Sequence, residues 1–472
     1  MKLSFKDKYH LLKKNKVVFF LFISLPLIII LNSSTELFCT TPIEDRFIPM
    51  SNYDIFFISL ILFVISNVII LTVTLYKKNL FKYERILDLF TFTIQSITVI
   101  IIITIFLQMT FMSYYTNYII SFIIYVVFLF SIGILLISFI KFFLWYLHKK
   151  SLLILLYGSI MLFLVIHTFI GLLFISQNIS FLGNPVIYNN EFHTSCSMML
   201  SSNKSTNPYN LYISLGQEHY LEIPYNTTLI LSFILTWVTS VLILKQYSIK
   251  IGKIKYWTLV SLPLIFFTMR YIDYFENFII YFNLLDLLPI YIELITYIES
   301  SPFYLLIKFN LLFGSLFFSM VFITIYSKLP KETILRNTVL ISALGMFLLF
   351  SSREIIGLFL PSYPPLGIMT VAFMAISSYL FFYGLFNTAR IISRNLDLKK
   401  WIYNKIESGN LFLEDISAAE NEIIIEKMVK SSLRTTSFQE DTKGSPPLTD
   451  SETQQIINDI VEELNKRKLS KS

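Results

Sequence analysis

The sequence predicts an all-α, polytopic membrane protein with about ten transmembrane helices, and three observations lead to that class. Hydrophobic residues make up 55% of the 472 residues and charged residues only 15%, whereas soluble domains carry about 25% charged residues. The apolar runs are rich in Ile, Leu and Phe. They are long enough to cross about 30 Å of hydrocarbon as helices, unlike the short alternating strands of an outer-membrane barrel. Lys and Arg concentrate in every second connecting segment, as they do in cytoplasmic loops.

The membrane-spanning part is predicted to cover residues 17–388. The segment after Lys16 lacks a small-residue cleavage site and is followed by many further apolar runs. It is therefore interpreted as a transmembrane helix rather than as a cleaved signal peptide. The predicted spans are Val17–Leu31, Ile55–Tyr76, Leu89–Met109, Ile119–Ile140, Leu152–Ile175, Thr228–Leu244, Tyr256–Met269, Phe303–Tyr326, Thr338–Leu360 and Leu366–Thr388.

The placement of Lys and Arg predicts that both termini are cytoplasmic and that the protein lies in the cell membrane. The N-terminal segment, residues 1–16, is strongly basic, and so is the beginning of the tail, residues 389–472. The net charge of +7 is therefore attributed to cytoplasmic loops, and no nucleic-acid partner is predicted. The basic segments between the termini are 77–85, 141–150, 245–255 and 328–336.

One apolar stretch, residues 275–300, is interrupted by polar residues and by Pro289. Counting it as a full span would place the basic segment 328–336 outside, against the positive-inside rule. It is therefore predicted to be an interfacial or re-entrant helix on the outer side, buried against protein.

The longest predicted outer loop covers residues 177–225 and carries the predicted glycosylation site. Asn-x-Ser/Thr sequons at Asn32, Asn178, Asn203 and Asn226 all fall in segments predicted to lie outside. Only Asn203 is well separated from the membrane, so it is the position expected to be modified. The histidines and carboxylates of this loop match no zinc-binding spacing, so no metal site is predicted.

The two cysteines, Cys39 and Cys196, also lie in predicted outer loops. A pair of cysteines in an oxidising compartment can form a disulfide, which would tie the first outer loop to the longest one. Two separate thiols remain the alternative, because the sequence does not show whether the two positions are close in space.

Ionisable side chains within or next to the predicted spans are the candidate functional residues, because charges are costly in hydrocarbon. At about 1.5 Å of rise per residue, Arg270, His167 and Arg353 lie roughly 21–22 Å from the inner ends of their helices. Lys308 lies roughly 8 Å from the outer end of its helix by the same rise, so all four share one depth. Two interpretations remain open: charge pairs that fix helix packing, or a ligand or ion site open to the outside. The candidate set is His167, Arg270, Asp273, Glu276, Lys308, Arg353 and Glu354.

The tail, residues 389–472, is predicted to be cytoplasmic and partly helical or disordered. Ala389–Ile406 is expected to continue the last span as a basic amphipathic helix suited to an anionic membrane surface. Leu411–Leu433 is predicted to form a second helix, and a capping box of Thr449 and Glu452 opens a third. The third helix has an apolar stripe that is predicted to bind a cytoplasmic protein partner; it contains Ile456, Ile460 and Leu464.

The sequence contains no phosphate-binding loop, HExxH, GxSxG or dinucleotide fingerprint, so no enzyme, catalytic residue or cofactor is predicted. The tail is too short for the catalytic region of a histidine kinase and lacks the glycine-rich nucleotide loops of one. A membrane glycosyltransferase using Glu44 or Asp45 is a weaker alternative, since two acids in a short loop are weak support.

The segment Ser362–Trp401 carries a resemblance to a known family. It contains Tyr363-Pro364-Pro365-x-Gly367, Ser377-Ser378-Tyr379-Leu380 and Ser393-x-x-Leu396, together with Gly384 and Ala389. These features resemble a family of polytopic membrane proteins of ammonia-oxidising archaea, which in its last spans is similar to the membrane region of sensor kinases. Lys399 and Lys400 depart from the arginines expected there. The resemblance implies a sensor-like membrane module without the kinase.

Two functions follow as expectations. The first is a receptor- or sensor-like membrane protein that binds an unknown ligand at the outer-leaflet charges and signals through its tail. The alternative is a transporter of an unknown solute, with helices broken at Pro263, Pro289 and Pro361–Pro365 around a site at the bilayer midplane. The predicted partners are the lipid bilayer and a cytoplasmic protein.

Overall fold

The computed structural model describes residues 20–31, 52–75, 82–112, 114–178, 185–187, 219–245, 252–270, 310–329, 334–353, 367–395 and 411–440. These residues form eleven helices and one two-stranded sheet. The helices are α1 Phe20–Leu31, α2 Asn52–Leu75, α3 Lys82–Met112, α4 Asn117–His148, α5 Leu152–Asn178, α6 His219–Lys245, α7 Lys253–Arg270, α8 Asn310–Lys328, α9 Ile334–Ser351, α10 Ile368–Arg394 and α11 Leu411–Glu440, and the strands are β1 Tyr114–Thr116 and β2 Pro185–Ile187.

Seven helices, α2 to α6, α9 and α10, are long and apolar enough to cross a membrane. Two shorter apolar helices are α1 and the segment Leu312–Lys328 of α8. The chain is thus a helical, multi-pass membrane protein by the length and composition of its helices, as the sequence predicts.

The polarity of α3 is inverted relative to a helix of a soluble protein. Four of its polar side chains, Asp88, Thr91, Gln95 and Thr98, are buried at spacings of three and four residues on one face. The opposite face exposes large apolar side chains. Polar groups therefore find partners inside the bundle while apolar groups face outward, which is the arrangement that lipid favours. The exposed apolar residues of α3 include Ile86, Leu89, Phe90, Ile97 and Ile100.

Helices α9 and α10 form the centre of the bundle. In the apolar window of α10, 94% of the residues are buried, compared with 28% for α3. The two helices approach closely because each has a glycine at the contact: a Cβ at Gly345 would clash with the Phe381 backbone. A Cβ at Gly384 would lie 2.6 Å from Ser342 N and 2.8 Å from Thr338 O. Small residues at a helix–helix contact are typical of packing in membranes.

The bundle has two ends that its contacts distinguish. At one end, which we call the sheet end, β1 pairs antiparallel with β2, with Tyr114 opposite Ile187 and Thr116 opposite Pro185. At the other end, which we call the tail end, α11 packs against α4, α5 and α10. Helix α4 therefore runs from the sheet end to the tail end, and α5 returns.

Helix α7 runs antiparallel to α6. The Trp237 indole donates a hydrogen bond to the Val260 carbonyl (2.8 Å), and the Tyr256 hydroxyl donates to the Val241 carbonyl (3.3 Å). Because α6 begins at the sheet end, where Tyr225 meets His167 of α5, α7 ends at the sheet end.

Helix α8 runs antiparallel to α9. The rings of Phe318 and Phe350 are 4.8 Å apart near the sheet end, and the Arg336 guanidinium lies 4.1 Å from the Tyr326 ring near the tail end. The end of α7 and the beginning of α8 thus lie at the same end of the bundle. The prediction for residues 275–300, which connect them, falls outside the described part of the chain.

Several helices differ in length from the prediction. Helix α4 continues beyond Ile140 to His148, and α6 begins at His219, inside the predicted outer loop, rather than at Thr228. Both extensions contain side chains that pack inside the bundle, since Trp145 and Tyr225 are buried. Hydropathy underestimates these helices because their ends carry amphipathic aromatic and charged side chains.

The prediction that the last span continues without a break to Ile406 is wrong at Asn395, and residues 396–406 themselves lie outside the described part of the chain. Helix α10 ends at Arg394, and Asn395 has an extended backbone with φ −117° and ψ 100°. Asparagine favours helix termini because its amide competes for backbone hydrogen bonds. The second tail helix is present and longer than predicted, Leu411–Glu440 instead of Leu411–Leu433.

Candidate functional site

Arg353 follows the end of α9 at the sheet end and is 1% exposed. Its Nε donates to the Leu349 carbonyl (3.1 Å), one turn back on its own chain. Its Nη1 reaches α5, donating to Thr168 Oγ1 (3.2 Å) and to the Leu164 carbonyl (3.5 Å). The guanidinium therefore joins the end of α9 to α5.

The charge of Arg353 has no compensating carboxylate within the described part of the chain. Its hydrogen-bond acceptors are a hydroxyl and two backbone carbonyls, all neutral. Its Nη2 is buried and has no partner among the described residues, and the same holds for the hydroxyl of the neighbouring Ser352. Removing a charge from water costs several kcal/mol, so a buried charge without a counter-charge destabilises the folded protein by about that amount.

His167, also buried, lies next to Thr168 on α5 and packs against α6. Its ring is 4.2 Å from the Tyr225 ring between centroids, and its Nδ1 is 3.1 Å from the Tyr225 carbonyl oxygen. Because a carbonyl only accepts, Nδ1 carries the proton in this contact, which leaves Nε2 as the lone-pair nitrogen of the neutral ring. Nε2 is buried and makes no hydrogen bond within the described ranges.

Tyr225 connects the two basic residues, contacting the ring of His167 and the backbone of Arg353. Its hydroxyl donates to the Arg353 carbonyl (3.4 Å), while its own carbonyl accepts from His167. Thr228, one turn further along α6, donates to the Tyr225 carbonyl as well (2.9 Å). We call His167, Thr168, Tyr225, Ser352 and Arg353 the sheet-end cluster.

Of the predicted site residues, the structure brings His167 and Arg353 into one network. Arg270 is the last residue of α7, at the same end of the bundle. The other predicted residues lie outside the described part of the chain, and the predictions for them are untested. They are Asp273, Glu276, Lys308 and Glu354 of the charged set, Cys39 and Cys196 of the disulfide, Asn203 of the glycosylation site, and Ile456, Ile460 and Leu464 of the partner-binding stripe.

A second charged cluster, which the sequence reasoning missed, holds α11 at the tail end. Glu420 is buried and accepts from the Trp145 indole (2.9 Å). It also pairs with Lys141 (2.8 Å) and lies 4.0 Å from Arg390. We call these four residues the Glu420 clamp.

The aromatic rings of the clamp region add cation–π contacts. Lys141 Nζ is 5.0 Å from the Phe386 ring centroid, and the Arg390 guanidinium is 4.2 Å from it. Cations above an aromatic face are held electrostatically even where they are partly exposed. The clamp thus joins α4, α10 and α11 by charge and by packing.

The apolar face of α11 is inserted into the bundle around the clamp. Phe412, Leu413, Ile416, Ala419 and Ile423 are all buried, and the Phe412 ring lies 4.6 Å from that of Tyr157 on α5. A sequence signal for this docking exists: Glu420 falls on the apolar face at helical spacing from these residues. A buried carboxylate on such a face requires a cationic partner. Lys141, a lysine within an apolar run of α4, is that partner.

Two polar contacts at the edge of the docked helix complete the interface. The Ser151 hydroxyl, at the turn between α4 and α5, donates to Asp415 (2.5 Å). His148 Nε2 lies 3.1 Å from Glu426, whose side chain is 47% exposed. The centre of the interface therefore combines buried apolar side chains with the buried charge of Glu420, and its rim is exposed to solvent.

A third polar group lies in the core between α2, α3 and α10. Gln95 donates to Asn67 Oδ1 (2.5 Å) and to the Ala372 carbonyl (3.4 Å), and the Tyr379 hydroxyl donates to Asp88. Asp88 Oδ2 and Gln95 Oε1 are buried acceptors without a partner among the described residues. No group of three potential metal ligands occurs in the described residues.

Comparisons with models of protein families, with curated proteins and with solved structures gave no match to this chain. The resemblance of Ser362–Trp401 to the archaeal family therefore stays a prediction.

Proposed function

We propose that this chain is a receptor-like integral membrane protein, without enzymatic activity, that binds a ligand at the sheet-end cluster and signals through α11 and the tail. In this proposal α1 to α10 are ten spans of the cell membrane, the sheet end faces outside and both termini are cytoplasmic. The Lys-rich turn between α4 and α5, at the tail end, supports this orientation by the positive-inside rule.

One observation carries the proposal: a single helix, α5, makes contacts with both ends of the proposed signalling path. At the sheet end it presents His167 and Thr168 to Tyr225 and Arg353. At the tail end its beginning meets Asp415 of α11 through Ser151. The two contacts are separated by about 24 Å along a continuous helix, and a rigid element that touches two sites can couple them.

The output of such a receptor is the position of α11. Its docking depends on the Glu420 clamp, in which Lys141 and Arg390 are 17% and 15% exposed. Water therefore reaches the cations of the clamp, and their release exchanges protein contacts for hydration rather than leaving bare charges. A cytoplasmic protein partner is proposed to bind the stripe of Ile456, Ile460 and Leu464 beyond α11.

The experiment is hydrogen exchange on the full chain in lipid nanodiscs, comparing the native protein with Arg353→Gln. Removal of the sheet-end charge should raise amide exchange in residues 411–427 by about fivefold or more, the lower range of allosteric coupling. The matched control is Ser131→Ala, which removes the buried Ser131–Ser378 hydrogen bond (2.7 Å) and should leave exchange in α11 unchanged.

Equal exchange of α11 in Arg353→Gln and the native protein would contradict the coupling and with it the receptor proposal. If both variants raise exchange in α11 alike, the effect is general loosening of the bundle, and the proposal is rejected as well.

The polar core between α2, α3 and α10 favours a second candidate, a transporter of an unknown solute. Buried acceptors such as Asp88 and Gln95 are typical of cation or proton pathways in membranes.

The predicted break at Pro263 does not occur, because α7 is continuous from Lys253 to Arg270. A transporter would expose this core alternately to both sides, so a cysteine at Thr91 would react with impermeant reagents from either side; a receptor would not require it.

A further inference from the structure

The sheet-end cluster contains two unused hydrogen-bond donors on consecutive residues. Arg353 Nη2 and the Ser352 hydroxyl are both buried and have no partner within the described ranges. They follow the end of α9, where Ser352 N still donates to the Leu348 carbonyl (2.9 Å) and Arg353 N to the Phe350 carbonyl (3.4 Å). These backbone hydrogen bonds hold the main chain of both residues in one turn at the end of α9.

We propose that Arg353 and Ser352 form a binding site for a small monovalent anion at the sheet end. The anion would accept a charge-assisted hydrogen bond from Arg353 Nη2 and a second bond from the Ser352 hydroxyl. The inference rests on the proposed function, because it names the class of ligand that the receptor would take.

Charge decides between an anion and a water molecule. Water would satisfy the hydrogen bond of Nη2, but it would leave a full positive charge whose acceptors within the described ranges are the neutral oxygens of Leu164, Thr168 and Leu349. A monovalent anion supplies both the acceptor and the opposite charge, and charge-assisted hydrogen bonds are about twice as strong as neutral ones. The Glu420 clamp gives the comparison within the same protein, since there the buried charge is paired by Lys141.

His167 has a positioning role in this site. Its Nδ1 proton is engaged by the Tyr225 carbonyl, so the neutral ring offers only a lone pair at Nε2 and does not donate to an anion. Instead His167 holds Tyr225, whose hydroxyl donates to the Arg353 carbonyl. The anion is therefore assigned to Arg353 and Ser352.

The test is thermal unfolding of the full chain in nanodiscs, in sodium chloride, sodium acetate and sodium gluconate at one ionic strength. Chloride or acetate should raise Tm relative to bulky gluconate in the native protein, and the dependence should be saturable. Arg353→Gln should lose the anion dependence. Ser352→Ala keeps the guanidinium and should shift the half-saturating anion concentration upward by about tenfold, as loss of one such hydrogen bond implies.

The matched control is Lys141→Gln, which removes a cation that is already paired with Glu420 and should retain the anion dependence. The inference is overturned if Tm of the native protein is the same in all three salts, or if Arg353→Gln keeps the shift. If Arg353→Gln does not fold, Ser352→Ala and Lys141→Gln decide between these outcomes.

The outcomes also separate this inference from the proposed function. An anion-dependent Tm with unchanged hydrogen exchange of α11 would support the anion site and contradict the receptor proposal. Exchange of α11 that responds to Arg353→Gln while no anion shifts Tm would leave the receptor proposal and contradict the anion site.

Discussion

Among the described residues, Arg353 and Glu420 are the most completely buried of the firmly charged side chains, with 1% and 3% exposure. Glu420 is bonded to Lys141 and to an indole, and Arg390 lies 4.0 Å away, so its desolvation is offset by charge pairing. In the part of the chain that the structure describes, Arg353 is bonded only to neutral oxygens. The first arrangement stabilises docking of α11, and the second is the observation on which the proposed anion site rests.

The docking role of Glu420 gives a residue-scale prediction. Glu420→Gln leaves Lys141 facing a neutral amide, so α11 should undock more readily, by roughly 2–3 kcal/mol for loss of a charge-assisted contact. Hydrogen exchange of residues 411–427 would report it as faster exchange. Glu426→Gln is the control, since Glu426 pairs with His148 at the exposed rim and surface pairs contribute at most about 1 kcal/mol. Equal effects of the two substitutions would contradict the clamp.

At the residue scale the sequence predicted two members of the sheet-end cluster, His167 and Arg353, and missed the Glu420 clamp. His167 and Arg353 were predictable because each interrupts an apolar run, and an ionisable group in hydrocarbon is costly enough to need a specific partner. Glu420 was not predicted as a site residue because its segment was assigned to a cytoplasmic tail, where a carboxylate is expected to be hydrated. Only the docking of α11 makes Glu420 a buried charge.

At the scale of elements, the close contact of α9 with α10 depends on two glycines, Gly345 and Gly384, which have no side chain. A Cβ at Gly384 would meet the Ser342 hydroxyl and two backbone atoms, Ser342 N and the Thr338 carbonyl oxygen, and the backbone atoms cannot move without shifting the helix. Thr388 adds a hydrogen bond to Thr338 across the same contact (2.9 Å). The two helices are therefore packed backbone to backbone over this segment.

Replacement of glycine by alanine is expected to have opposite effects on the free energy of unfolding at two positions. Gly384→Ala should lower the free energy of unfolding by about 1–3 kcal/mol, the usual effect of overpacking. Gly133→Ala on α4 should be neutral or stabilising by up to about 1 kcal/mol, because a Cβ there meets nothing within 4 Å and alanine is the better helix former. Thermal unfolding in nanodiscs measures both; a destabilised Gly133→Ala or an unaffected Gly384→Ala would contradict the packing argument.

Helix interiors were predictable from sequence, whereas helix ends were not. Each predicted span overlaps a helix of the structure, because a long apolar run in lipid has few alternatives to a helix. The ends of α4 and α6 and the three-residue strands β1 and β2 depend on contacts between distant segments. Such contacts leave no local periodicity, so hydropathy does not detect them.

At the scale of the whole molecule, the direction of the helices and the distribution of charge agree. The chain reverses at Lys149 and Lys150 between α4 and α5, and α7 begins with Lys253 and Lys255, all at the tail end. Helix α10 also ends there with Arg394. Positively charged segments remain on the cytoplasmic side during insertion, so the tail end is expected to face the cytoplasm.

This orientation can be tested with two cysteines, one at the beginning of α4 and one in the turn that follows its end. Tyr118 lies beside β1 at the sheet end and is 61% exposed, while Lys150 lies at the turn next to α11. In a background with Cys39→Ser and Cys196→Ser, an impermeant maleimide added to intact cells should label Tyr118→Cys. It should label Lys150→Cys only after permeabilisation. The reverse pattern would place α11 outside the cell, so the tail could not reach a cytoplasmic partner, and the receptor proposal would lose its output.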